Sequence, residues 1–466
     1  MLWLWQFART PLVLLGILGA LGVGAPARAN GRLPATSTIT FQHGHENNIA
    51  AGLTFGLLLS HDGGTTWQWM CEAAVGYGGM YDPAYAYSAS GALFATTFNG
   101  LSVTRNGCTF DATPEGKAFV SASTIDPGGA FYFAAAQVLD TKNGIAQDFD
   151  IYKSTNDFMT LPTGVPVAAS TDVTVWWQSI EVAPSDPKIV YLSGYRYIPK
   201  TSGTGTMRDH LLFRSNNGGA AGSWTAMAKT GLVLMPNSVI HIAGIWSNDP
   251  AHLYARVEFI DNTTTDAYYV STDSGATWTE IDRAPNPFGA FVVRAAVNAN
   301  AKHDLITGTV TSGGKISHDD GMTWTALAGS PHMNCIVENS AGELWACTQN
   351  YGVGAAVSDD AGIMKTTDLA TWTKVLRYQD LTDAVTCAAD TIQAMTCATS
   401  WCAVCAQLGC KPSASYSCPV ASESMGSDMV PPPKAAGCCD TGAGGGGALA
   451  LALVVATVVL RRREPR

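Results

Sequence analysis

The chain has 466 residues, of which 14% are charged and 47% hydrophobic, with 48 Gly, 13 Trp, 12 Cys and a formal charge of -10. That hydrophobic content excludes disorder over most of the chain, and the Gly- and Trp-rich, charge-poor composition fits turn-rich β structure instead of a helical bundle. Setting aside six Arg near the termini and Glu464, residues 30–440 hold 21 Lys and Arg against 36 Asp and Glu, a sign that repels phosphate and excludes a nucleic-acid partner.

Residues 1–29 combine an apolar run from Pro11 to Leu21 with Ala27-Arg28-Ala29, a small-x-small site. This predicts a secretory signal peptide, and 12 Cys agree with an oxidising destination.

The middle of the chain repeats. Ser60-His61-Asp62-Gly63-Gly64-Thr65-Thr66-Trp67, Ser271-Thr272-Asp273-Ser274-Gly275-Ala276-Thr277-Trp278 and Ser317-His318-Asp319-Asp320-Gly321-Met322-Thr323-Trp324 all fit S-x-D-x-G-x-T-W. Weaker copies begin at Thr104, Ser154, Ser215 and Thr366, so seven starts lie 44 to 61 residues apart, the period of a four-stranded propeller blade. The chemistry of the motif suits a hairpin: Asp caps downstream N–H groups, Gly takes the positive φ, and Thr-Trp opens the next strand with a large ring turned inward.

These residues match the Asp-box, or BNR repeat, of sialidases, sortilin-type receptors and secreted bacterial propellers. The resemblance implies an all-β, seven-bladed propeller over residues 36–382, with each box joining the third and fourth strands of a blade. It assigns Ser60, Asp62, Gly64, Trp67, Ser271, Asp273, Gly275, Trp278, Ser317, Asp319, Gly321 and Trp324 structural roles. A sialidase would also need three convergent Arg, a Tyr nucleophile, a Glu and an Asp. Arg32-Leu33-Pro34 resembles the Arg-Ile-Pro motif, but the nine Arg between residues 30 and 440 supply no convincing triad. No catalytic residue is assigned.

If the boxes face one side, the starts of the first strands and the second-to-third strand loops face the other, the usual ligand side. Three such loops are long, Gln137 to Asp150, Arg196 to His210 and Gln349 to Gly362, and long loops on a rigid scaffold are where binding is carried. The first strands offer His43, His45, Tyr81, Trp176, Trp177, His241, Arg294 and His332 as candidate ligand-binding residues. Alternation sets His43 and His45 on one strand face, as in a metal site, but no third ligand is evident, so neither a metal nor another cofactor is expected.

Cys335 and Cys347 flank Ser340-Ala341-Gly342 symmetrically, which predicts a cross-strand disulfide, and Cys71 and Cys108 are left as a bridge between blades one and two. Six further Cys within residues 387–418 predict a small self-stapled module, and residues 419–437, with Pro431-Pro432-Pro433, a stalk. Residues 438–466 hold Cys438-Cys439, a Gly-rich stretch, an apolar transmembrane segment 443–460 and an Arg cluster. This order resembles the C-terminal sorting signal of myxobacterial surface proteins. It implies membrane retention until a sorting protease acts near Cys438 or Cys439, and display at the cell surface or outer membrane, or release from it.

The sequence therefore predicts an exported propeller that binds an extracellular glycan or protein without catalysis. The alternative is an extracellular glycoside hydrolase.

Overall fold

The computed structural model describes residues 33–418, apart from 79–81, 98–99, 114–119, 136–148, 168–174, 201–202, 260–264, 286–287, 297–302 and 353–356. Its strands form seven sheets in chain order, antiparallel apart from one added strand in the first, a seven-bladed β-propeller. Five sheets have four strands, blade three has three, and blade one gains a fifth.

The second strand of each blade is flanked within its sheet, and neighbouring blades cover both of its faces. Ile49–Leu53, Leu93–Thr97, Phe131–Ala135, His303–Thr309 and Leu344–Thr348 are accordingly buried at every residue. Outer strands are short, and Asp111–Ala112 and Thr325–Ala326 are exposed throughout, which limits the free sheet edge.

The S-x-D-x-G-x-T-W turns join third and fourth strands, and their hydrogen bonds explain the spacing. In blade one the Ser60 hydroxyl accepts the Gly64 N–H at 2.9 Å and donates to Asp62 at 2.9 Å. Asp62 in turn accepts the Thr66 N–H at 2.8 Å and the Thr66 hydroxyl at 2.7 Å. These bonds hold the Asp62 carboxyl below its ordinary range. The same set recurs around Ser271–Asp273 and Ser317–Asp319. Gly64, Gly275 and Gly321 take φ values of 86°, 81° and 83°. At Gly321 a Cβ would also lie 2.6 Å from Ile281, so the blade packing as well as the turn requires glycine. Trp67 and Trp278 follow into the core at 7% and 4% exposure.

Each blade is a contiguous stretch of chain, so the ring has a seam between blades seven and one. Phe41 meets Trp345 across it edge to face at 5.3 Å, and the Thr36 hydroxyl bonds the Tyr378 hydroxyl at 2.7 Å. The segment after blade seven then crosses onto blade one. Asp383–Ala384 pairs in parallel with Gln68–Trp69 as the fifth strand, Gln393 donates to the Trp69 carbonyl at 3.0 Å, and Trp401, on helix Ala398–Leu408, packs on Trp69 at 5.3 Å.

Two disulfides lock this segment down, and here the cysteine reading is corrected. Cys71 pairs with Cys397 and Cys108 with Cys387, not with each other. The six-Cys region is therefore not a separate module: two of its thiols hold blades one and two, while Cys402–Cys418 and Cys405–Cys410 close locally. Cys335 and Cys347 sit directly opposite one another in register and are bonded. Among the described residues no helix is long and apolar enough to cross a membrane. The signal peptide, stalk, segment 443–460 and Cys438-Cys439 lie outside the described residues.

Replacing Ser60 by Ala strands the buried Gly64 N–H and should lower unfolding free energy by about 1–2 kcal/mol, read by urea titration. The double change Cys71→Ser with Cys397→Ser opens a 326-residue loop and should cost roughly 3–5 kcal/mol. Hydrogen exchange would then rise first in blades one and seven; uniform exchange around the ring would refute the seam as the weak point.

Candidate functional site

The predicted site residues divide between the two faces of the ring. First strands run from the face opposite the boxes toward the box face, so a residue's place along its strand fixes its side. Trp176 is the second residue of Val175–Val182 and His241 the third of Val239–Ile245, while His332 precedes Met333–Glu338; all three lie at the far face. Arg294 is near the end of Phe288–Ala295, on the box side. It pairs there with Glu338 at 2.9 Å and reaches the Gly342 carbonyl at 3.2 Å, tying blade six to blade seven.

His43 and His45 are not on a strand. They occupy the turn between Thr36–Phe41 and Ile49–Leu53, both exposed and on the box side, because residues 42–48 make the first-to-second strand connection. The adjacent Asn47 carbonyl accepts the Gly63 N–H of the blade-one box at 3.1 Å. Trp177 is fully buried, donates its indole N–H to the Phe149 carbonyl at 2.8 Å and fills the core between blades three and four. Tyr81 lies outside the described residues. His332 is engaged by Asp359, whose carboxylate is 2.9 Å from Nδ1 and accepts the Gln349 N–H at 2.9 Å. This ties the blade-seven loop to the first strand.

The far face gains its relief from blade four. Residues 196–210, expected as a loop, are mostly strand: Val190–Pro199 and Thr206–Ser215 pair along ten residues each, about twice the length of the corresponding strands in blades one and two. Tyr and Thr side chains favour extended pairing, and residues 200–205, of which 201–202 lie outside the described residues, connect the two strands. On the hairpin's side toward blade five, alternate residues form a ladder. Tyr191 donates to the Pro250 carbonyl at 2.7 Å and Ser193 to the Ile240 carbonyl at 2.6 Å. Above them Tyr195 pairs in register with both Trp176 and His210, and Tyr197 with Arg208.

The Arg208 guanidinium lies over the Tyr195 ring at 4.1 Å, and Tyr197 meets Tyr195 edge-on at 5.5 Å. His210 bonds the Ser238 carbonyl at 2.9 Å, and burial holds its pKa below the ordinary value. Beside the ladder the segment entering blade five alternates: Leu232 and Leu234 pack inward while Val233 and Met235 are 52% and 44% exposed. His241 is 3.6 Å from Glu258; burial lowers the histidine's pKa, and the nearby imidazole lowers that of Glu258. Two partly exposed aromatic residues, a guanidinium and two apolar side chains thus lie along the junction of blade four with the entry to blade five, where Arg208 donates to the Pro236 and Asn237 carbonyls. Of these, sequence reasoning named Trp176 and His241. Tyr197, Arg208, Val233 and Met235 were missed because a loop reading gives no alternation from which to sort them.

Glu181 was also missed. It lies late in the first strand of blade four, partly exposed as a residue but with its carboxyl tucked against Thr124 of blade three at 3.4 Å. Desolvation raises its pKa to about 7. No local signal in sequence reports such burial.

These sheets define the chain as a seven-bladed β-propeller. No family model matches it, and no curated protein does. Solved structures that resemble it include a GH74 enzyme of Niastella koreensis, at 14% identity and TM-score 0.35, covering 73% of this chain and 65% of that one. The extracellular domain of a putative hybrid two-component system of B. thetaiotaomicron matches at 13% identity and TM-score 0.46, over 67% of this chain and 36% of that one. An ulvan lyase of polysaccharide lyase family 25 matches at 11% and 0.39, over 64% and 85%. This chain therefore spans less than two thirds of the first two structures.

The Glu181 pKa has a stability consequence. Its folded value, about 7, exceeds the ordinary 4.5, so its protonated form is favoured in the folded state. That contribution is complete below pH 4.5 and is lost as pH rises through about 7. Glu181→Gln should flatten the decline in urea midpoint across this window; an unchanged slope would show that the carboxyl is not desolvated.

Proposed function

We propose that this is an exported propeller that binds an extracellular glycan, without catalysis, in the cleft between the blade-four hairpin and the entry to blade five. The observation that carries the reading is the row formed by Trp176 of the first strand of blade four with Tyr195, Tyr197 and Arg208 of its ten-residue hairpin. Sugar rings present C–H faces that stack on aromatic rings, and the guanidinium offers hydroxyl or carboxylate groups several fixed donors. The acidic surface does not exclude a uronic-acid polymer, because the charge that matters is local and Arg208 supplies it. Five disulfides support maturation in an oxidising compartment. Display through residues 438–466 and processing by a sorting protease belong to the same reading. A protein ligand is the competing partner on this surface.

A glycoside hydrolase is the second reading, favoured by Glu181, which lies toward the box-face end of its strand and so away from the proposed cleft. A carboxyl half-protonated near pH 7 has the property a general acid needs.

The test is a glycan array and a reducing-sugar assay on the full chain with its disulfides intact. Trp176→Ala and Tyr197→Ala should each weaken glycan binding by roughly tenfold, the loss of about 1.4 kcal/mol expected for a stacking contact. No glycan binding by the wild-type chain would transfer the cleft to a protein partner. Sugar release abolished by Glu181→Gln would replace binding with hydrolysis.

A further inference from the structure

The box face carries a second, unrelated cluster, where blade five meets blade six. His252 ends the turn before Leu253–Phe259, Tyr254 is the second residue of that strand, His303 opens His303–Thr309, and Asp320 sits within the blade-six box. Among the described residues, His252, His303 and Asp320 are the one group of metal-ligating side chains whose donor atoms all lie within 4.8 Å of one another. The Asp320 Oδ1 is 3.0 Å from His252 Nε2, 2.6 Å from His303 Nε2 and 2.7 Å from the Tyr254 hydroxyl. The same hydroxyl is 3.0 Å from His252 Nε2 and 2.7 Å from His303 Nε2.

A proton count shows what is unusual here. Four polar atoms make five close contacts, yet neutral imidazoles and one phenol supply at most three protons among them. At least two contacts therefore have no proton of their own. Lone pairs from separate blades converge on one point, the geometry of a ligand set. The surroundings hold it in place: the Trp246 ring packs on His303 at 4.7 Å, and His252 and His303 side chains are 8% and 2% exposed. Asp320 is 34% exposed and opens the point to solvent, which gives a cation an entry path.

We propose that His252, His303 and Asp320 form a zinc site that clips blade five to blade six. Two imidazole nitrogens and one carboxylate oxygen are the donor set zinc takes, and a tetrahedral ion sets its ligands roughly 3.3 Å apart. The observed contacts of 3.0 and 2.6 Å need to open by about 0.3 and 0.7 Å to reach that spacing. On binding, each imidazole carries its proton on Nδ1, which at His303 is buried without a hydrogen-bond partner, Tyr254 donates to the Asp320 carboxylate as an outer support, and water takes the position facing solvent. The ion replaces the contacts that protons leave unfilled. It is held by two blades, so it resists their separation.

The experiment uses the full chain with disulfides intact and free thiols blocked by iodoacetamide, stripped with EDTA and dialysed. Zinc titration followed by calorimetry and metal analysis should give one ion per chain, and cobalt substitution should give the visible absorption of a tetrahedral site. Asp320→Asn is the variant safest for the fold, because Asn tolerates the φ of 61° found there. It should weaken zinc at least tenfold, His252→Ala should do the same, and zinc should raise the melting temperature of the wild type but not of Asp320→Asn. His43→Ala with His45→Ala, on exposed residues elsewhere, should leave binding intact. No stoichiometric zinc on the wild-type chain, or equal binding by Asp320→Asn and His252→Ala, would overturn the site.

Discussion

Everything in this molecule depends on closing a ring whose blades are each made from one uninterrupted stretch of chain. Such a ring has a seam with no strand shared across it, joined among the described residues by side-chain packing and by hydrogen bonds from Thr36 to Tyr378 and from Asn334 to the Thr36 carbonyl. Loop entropy acts against this joint, since residues some 300 apart must meet. The C-terminal segment supplies the missing continuity: it leaves blade seven, adds a strand to blade one and is bonded covalently to Cys71 and Cys108. Cross-links over loops of 326 and 279 residues remove much of the entropy that favours opening. What looks like an appendage is the fastener of the propeller.

A ring closed in this way can carry uneven blades. The turns at the box face are short and saturated with hydrogen bonds from Ser, Asp and Thr, which leaves that side geometrically uniform. The opposite face is free to vary, and blade four uses this freedom by continuing its central hairpin beyond its neighbours. Its lower rungs, Tyr191 and Ser193, anchor to blade five, and higher up Arg208 is tied to the entry of blade five through the Pro236 and Asn237 carbonyls, with Tyr197 opposite it in register. The same side chains would be core in a shorter ring wall.

Much of the architecture was legible because repetition encodes it. Seven turn motifs at blade-length intervals gave blade number, strand order and the side on which the boxes lie, since each motif is a local hydrogen-bond pattern set by residues within eight positions. Local chemistry also reveals Cys335 and Cys347, which face each other across one hairpin. Reading failed where partners are distant. Cys71 and Cys108 find theirs in the tail, Trp177 turns into an interblade core, and His43 and His45 leave the strand for a turn one residue too early to be seen from alternation.

The sequence by itself determined the hairpins, their number and the polarity of the ring, because these follow from turn chemistry and apolar alternation along a short stretch. Only the tertiary structure decided which side chains meet across strands and blades: Tyr195 beneath Arg208 within blade four, Glu181 against Thr124 and His252 beside His303 between blades. Those encounters depend on blade twist and strand length, which bring together residues 13 to 57 positions apart. No pattern in the intervening chain records them, and the chemistry of this protein resides in those encounters.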